Sequence, residues 1–209
     1  SVKQSTAGMA LVRGQPVESA YGGHFDVQSF WIDQTPVTNA AYLAFIEATG
    51  ELPPAHWIGR KPPSTEMNHP VVGVNLDAAR HFARWRGCRL PTNIEWEAAA
   101  RGPELLAFPW GNTWDEGKAV GPELGLAGPL PVGSRPLGAT RSGIVDMVGN
   151  VWEWTELAVG VDEPDFGYVW VFGGSYLQSG NDGGRIARQF VAAEKEYRYL
   201  GFRCVREAM

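Results

Sequence analysis

The sequence predicts an α+β fold on three observations: helical periodicity within residues 38–101, short strand-like runs after it, and no β-α-β alternation of the kind that builds a parallel sheet. Each helical segment carries its own boundaries. In 38–49, Tyr42, Phe45, Ile46 and Thr49 fall on one face, Thr38 is placed to cap the start and Gly50 to end it. In 76–86, Leu76, Ala79, Phe82 and Ala83 share a face and Gly87 follows. The third segment opens on Thr92-Asn-Ile-Glu95, a capping box in which hydroxyl and carboxylate each satisfy a backbone N–H, and runs to Arg101 before Gly102. Beyond it, 143–147, 168–172 and 200–205 read as strands between Gly/Pro/Asn/Asp-rich loops at 103–117, 121–141 and 178–184. No repeat and no linker composition divides the chain, so one domain over 1–209 is expected.

With 44% apolar or aromatic residues in 209, the chain can bury a sizeable core. Its net charge of −5, from 18 Lys and Arg against 23 Asp and Glu, argues against a nucleic-acid partner, whose phosphates need clustered cations. Glycine (26) and proline (15) approach a fifth of the chain, while nine tryptophans and nine phenylalanines separate it from disordered composition, so the expectation is a globular protein rich in ordered loops. No apolar run nears the ~20 residues of a membrane span, and residues 1–10 lack a signal-peptide core. The chain as given is expected to be soluble; the compartment is open, and export or surface display fits if a signal or anchor has been removed.

Seven motifs follow one another along the chain: Thr35-Pro-Val-Thr-Asn39, His69-Pro-Val-Val-Gly-Val74, Arg89-Leu-Pro-Thr92 with Glu95-Trp-Glu97, Phe108-Pro-Trp-Gly-Asn112, Asp146-Met-Val-Gly-Asn-Val-Trp-Glu-Trp154, Gly173-Gly-Ser-Tyr176 and Gly201-Phe-Arg203. In that order, over about 9–206, they resemble the formylglycine-generating enzyme (sulfatase-modifying factor) family. The resemblance implies a C-type-lectin-like fold: a twisted antiparallel sheet, two or three helices, paired N- and C-terminal strands and much irregular chain. The motifs also make sense as scaffold. Trp110, Trp152 and Trp154 can each bury a large area while the indole N–H finds one partner, and glycines 149, 173, 174 and 201 mark turns or close backbone approach.

The resemblance also sets the chemistry that is missing. Members that oxidise a sulfatase cysteine bind copper through two thiolates shortly after Gly-Gly-Ser; here Gln178 and Gly183 stand at those positions, so no copper cofactor is expected. Related sulfoxide synthases place iron-binding histidines largely on an additional helical domain, whereas His24, His56, His69 and His81 are scattered and form no ligand spacing. Glu95 and Glu97, as alternate helix residues, face apart and make poor acid/base partners. One metal is implied: family members hold calcium at positions that map onto Asp146, Gly149, Val151 and Glu153, two carboxylates plus two main-chain carbonyls, against the alternative of a hydrogen-bonded loop. A second family calcium site, in 118–133, lacks its Asn and Asp ligands. Cys88 and Cys204 read as two buried thiols more readily than as a bridge.

Two functional classes remain. Variable proteins of diversity-generating retroelements resemble this chain in keeping a fixed frame around a changeable C-terminal segment, here 168–199. That resemblance implies a non-enzymatic binder of a protein or other surface ligand, with a face made of Trp170, Phe172, Tyr176, Leu177, Ser179, Asn181, Arg188, Phe190, Tyr197 and Tyr199. These residues show no evident core period, and aromatic residues mixed with small polar ones suit adaptable binding. Trp170, Phe172 and Phe190 read almost as well as core. The competing class is a formylglycine-generating-enzyme-like oxidoreductase or a maturation accessory factor without the copper cysteines.

Overall fold

In the computed structural model, which describes residues 6–160 and 167–208, the three capped segments are helices. Helix α1 (Asn39–Thr49) starts where the Thr38 hydroxyl accepts the Ala41 N–H and stops at Gly50, whose φ of 79° suits a residue without a Cβ. Tyr42, Phe45 and Ile46 are buried, but Thr49 is exposed and its hydroxyl bonds back to the Phe45 carbonyl at 2.8 Å, so the apolar stripe is shorter than the periodicity suggests. Helix α2 (Leu76–Trp85) is capped by Asn75. Helix α3 (Asn93–Arg101) has both halves of its capping box, Glu95 N to Thr92 Oγ1 at 3.1 Å and Thr92 N to Glu95 Oε2 at 2.8 Å.

Nine short strands form three sheets among the described residues. Strand β1 (Met9–Val12) is followed by the hairpin of β2 (Gln15–Glu18) and β3 (His24–Val27), and then by β4 (Phe30–Asp33). Strands β5 (Trp152–Trp154), β6 (Tyr168–Phe172), β7 (Arg188–Ala192) and β8 (Leu200–Gly201) make a sheet in the order β7-β6-β5-β8, antiparallel except for β5 with β8. Strand β9 (Val205–Glu207) closes the chain. The terminal strands do not pair with each other as expected. Both flank β4, whose fully buried Phe30 and Ile32 make it the central strand.

Two strand expectations fail for local reasons. Residues 143–147 form no strand: Asp146 takes a left-handed φ of 57°, and Val145 makes a single backbone tie, to the Gln34 carbonyl at 2.8 Å. The 200–205 run splits into β8 and β9: the Phe202 carbonyl accepts the Val37 N–H from outside any strand, and the Cys204 N–H goes to the Asp33 carboxylate instead of to a backbone carbonyl of β4. The long loop over 103–141 is held by side chains instead of by a ladder. Asn150 donates to and accepts from the Leu130 backbone, Asp146 Oδ2 accepts the Gly133 N–H, and Phe108 packs with Trp110 and Trp114.

The β6–β7 pair divides the interior. Val169, Val171 and Val191 face the core built by α1 and α2 with Trp154 and Phe202, while Trp170 and Phe172 face the core of α3 and β4 with Trp96 and Phe108. Trp110, Trp152 and Trp154 each give their indole N–H to one acceptor, the Thr113 carbonyl, Gln178 Oε1 and the Val74 carbonyl. Gly201 is a close approach: a Cβ there would lie 2.7 Å from the Val71 carbonyl oxygen. Cys88 and Cys204 are free thiols, the second buried and the first half-buried.

Candidate functional site

The β6–β7 ladder pairs Trp170 with Phe190 and Phe172 with Arg188, so these four residues share one side of the sheet. That is the period-2 alternation a strand requires, and it corrects the expectation that the segment lacks one. Helix α3 and the loop between β2 and β3 cover part of that side. The Glu97 carboxylate on α3 accepts Ser19 Oγ at 2.8 Å and the Ala20 N–H at 2.5 Å, and is itself held by Arg101 Nη1 at 2.6 Å. This buried anchor fixes the loop so that Tyr21 reaches over the hairpin, where its hydroxyl donates to the Ile186 carbonyl at 2.5 Å.

The result is a cleft of about 410 Å³ whose walls include Tyr21, Phe25, Ile94, Trp170, Arg188 and Phe190. The Arg188 guanidinium lies between two rings, 3.7 Å from the Tyr21 centroid and 3.8 Å from that of Trp170. Trp170 packs in turn against Phe190, the rings tilted by 32° with centroids 3.5 Å apart, and Phe190 is 49% exposed. Burial pulls the Arg188 pKa below the usual guanidinium range, and burial above all pushes the Tyr21 hydroxyl up to about 12. A larger hollow of about 610 Å³ lies over 110–118, but there Lys118 is paired with Asp115 at 3.4 Å and the exposed Glu116 leaves the hollow acidic, without a free cation or a stacked ring pair around one among the described residues.

Of the ten residues expected on one face, Trp170, Arg188 and Phe190 meet at this cleft. Phe172 does not join the surface: it is 1% exposed and packs on Trp96, with centroids 5.3 Å apart. Tyr176 is also buried, at 5% exposure, because its backbone N–H is tied to the Asn150 carbonyl and its ring is drawn inward. Tyr197 and Tyr199 pack against the other core, where the Tyr197 hydroxyl accepts the Ala192 N–H. Leu177 and Ser179 are exposed on the following loop, and Asn181 spends its side chain on the Gly184 N–H. Tyr21, 149 residues before Trp170, gives no local sequence signal of its place in the cleft.

The calcium positions lie elsewhere, beside the long loop. Asp146 is buried, burial raises its pKa to about 6, and the nearby Glu153 adds to the shift. Glu153 lies in a buried ion pair with Arg203, Nη2 to Oε1 at 2.7 Å and Nε to Oε2 at 2.8 Å, and accepts Trp96 Nε1 at 2.7 Å. A carboxylate has about four lone-pair directions, so Glu153 keeps one for a cation. The side chains of Asp146 and Glu153 and the Gly149 and Val151 carbonyls would offer only oxygens, the donor type that calcium takes, with Arg203 already offsetting one of the two negative charges. At the copper positions, Gln178 uses its amide oxygen to accept Trp152 Nε1 at 2.6 Å, and Gly183 carries no side chain.

Sheets, helices and ordered loops define a C-type-lectin-like domain of the α+β class. A family model described as sulfatase-modifying factor enzyme 1-like domain matches residues 4–208, and the chain belongs to that family. It is 31% identical over 192 residues to the formylglycine-generating enzyme of Mycobacterium tuberculosis, covering 62% of this chain and 64% of that protein. The chain spans about a third to two thirds of the length of the curated relatives it first matches. Among solved structures, PvdO from Pseudomonas aeruginosa superposes with a TM-score of 0.75 at 22% identity, covering 96% of this chain and 94% of that one. Treponema denticola variable protein 1 does so with 0.71 at 18%, covering 94% of each.

Proposed function

We propose that the domain is a non-enzymatic binding module that engages a protein or other surface ligand through the cleft of Tyr21, Trp170, Arg188 and Phe190. The observation that carries this reading is the cleft itself: a concave site with a cation stacked between rings and a half-exposed Phe190 at its mouth. Tyrosine and tryptophan supply contact area at low entropic cost, so a few rings on a rigid hairpin support useful affinity. Use of the domain as a retroelement variable protein is the finer form of the proposal, supported by the likeness in fold to Treponema denticola variable protein 1. Calcium, held by Asp146, Glu153 and the carbonyls of Gly149 and Val151, would serve as a structural tie between the 130–133 loop and β5.

The second reading is a formylglycine-generating-enzyme-like oxidoreductase or maturation accessory factor, favoured by sequence identity to the M. tuberculosis enzyme. It must do without thiolates at 178 and 183.

Panning a displayed random-peptide library on the immobilised domain tests the proposal. Enriched clones are expected to bind the wild type and to lose binding to the Trp170→Ala/Phe190→Ala variant, with its thermal melt checked in parallel. Clones that bind both forms equally would overturn it.

A further inference from the structure

We infer that the cleft recognises a carboxylate carried on an apolar, ring-bearing group, with Arg188 as the clamp. The inference rests on the reading of this cleft as the ligand site and adds the chemistry that the site takes.

Arg80, Arg86, Arg89, Arg101 and Arg203 each hold a carboxylate, those of Glu156, Asp33, Glu95, Glu97 and Glu153, at 2.5–2.7 Å. Arg188, half-buried, holds none among the described residues, and its N–H groups reach no protein acceptor there. Its two faces are covered by Tyr21 and Trp170. Stacking uses the faces of a guanidinium and leaves the in-plane N–H fork unspent, which is the edge that grips a carboxylate in two parallel hydrogen bonds. Among the described residues the nearby carboxylates are engaged, Asp182 with Arg185 at 3.7 Å and Glu97 with Arg101, Ser19 and Ala20, which leaves the Arg188 charge without a carboxylate partner there. Partial burial weakens hydration of that charge, and a matching anion gains accordingly.

The rest of the cleft sets the other half of the ligand. Trp170, Phe190, Phe25 and Ile94 form an apolar wall beside the cation. A volume of about 410 Å³ lies toward the small end of ligand pockets, roughly 300–1,000 Å³, and suits a ring with its acid group or a peptide end. One planar cation matches one planar monoanion; the second cation near Tyr21, Arg185 at 4.4 Å from its ring, is tied to Asp182 at 3.7 Å and to the Ala20 carbonyl at 3.1 Å, so the second charge of a phosphate would face Glu97 and Asp182 without a cation of its own among the described residues.

Calorimetric titration of the intact chain with N-acetylphenylalanine, its neutral amide and phenyl phosphate tests this. The acid is expected to bind at least tenfold more tightly than the amide, and Arg188→Gln to bring the acid down to the level of the amide while the amide is unaffected. Acid and amide binding equally to the wild type would overturn carboxylate recognition while leaving the cleft as the binding site. Phenyl phosphate binding more tightly than the acid would overturn it in favour of phosphate. No binding of any probe would overturn it too, and peptide panning reads the fate of the wider proposal independently. The acid-to-amide comparison on the wild type decides the matter even if the Arg188 variant does not fold.

Discussion

Replacing Arg203 with methionine should remove a large part of the stability of this domain. The guanidinium is fully buried and reaches three separate segments: both oxygens of Glu153 in β5, the Asp33 carbonyl at 3.0 Å at the end of β4, and the Val145 carbonyl at 2.9 Å before the Asp146 turn. Methionine keeps much of the stem volume but strands the Glu153 carboxylate, itself 1% exposed, with Trp96 Nε1 as its remaining partner. Breaking a buried pair on one side costs about 3–5 kcal/mol, set against a total of about 5–15 kcal/mol for a typical domain. In a protein of this size that is a fall in Tm on the order of 10 °C. Urea unfolding in chelator-containing buffer measures it. Adding Glu153→Gln removes the stranded charge, so the double variant should regain about 2 kcal/mol over Arg203→Met alone. A loss below about 1 kcal/mol in the single variant, or a double variant no more stable than the single, would refute the claim that charge burial drives the effect.

Asp146 should make calcium-free stability fall as pH rises. Its folded pKa of about 6 lies above the unfolded value of 3.8, so its contribution is complete below pH 4 and lost as pH passes 6. Asp146→Asn should therefore be more stable than wild type at pH 7 without calcium, by about 2–3 kcal/mol, and lose that advantage near pH 4 in denaturant titrations. Millimolar calcium should raise the wild-type Tm and move that of the Asp146→Asn variant less; equal responses would count against Asp146 as a ligand. Gly201→Ala should lower stability by about 1–3 kcal/mol, since its Cβ would press on the Val71 carbonyl oxygen 2.7 Å away, and a neutral melt would contradict that geometry. Copper-loaded protein incubated with a sulfatase-type cysteine peptide should leave the peptide mass unchanged, because Gln178 and Gly183 offer no thiolate.

The elements legible in the sequence were those written in adjacent residues. Thr92 and Glu95 form their capping box, Thr38 and Gly50 bound α1, and the motif series marks the family, because each signal lies within a few residues of the structure it dictates. The candidate site was legible only in part. Trp170, Arg188 and Phe190 were within reach because they lie on one hairpin, yet the alternation that also sends Phe172 into the core was missed, since its burial depends on Trp96 from a distant helix. Tyr21 was invisible for the same reason: its position follows from Glu97 gripping Ser19 and Ala20 across more than 75 residues. Asp146 reads as part of a strand by composition, and its left-handed backbone is imposed by the loop that its carboxylate ties down at Gly133.

The central claim, that ligand enters the cleft between the β2–β3 loop and the β6–β7 hairpin, is tested most directly by NMR shift mapping with a peptide selected by panning. The account predicts the largest shifts at Tyr21, Trp170, Arg188 and Phe190. Shifts centred instead on 176–183, around the positions where copper-binding relatives carry their cysteines, would contradict it.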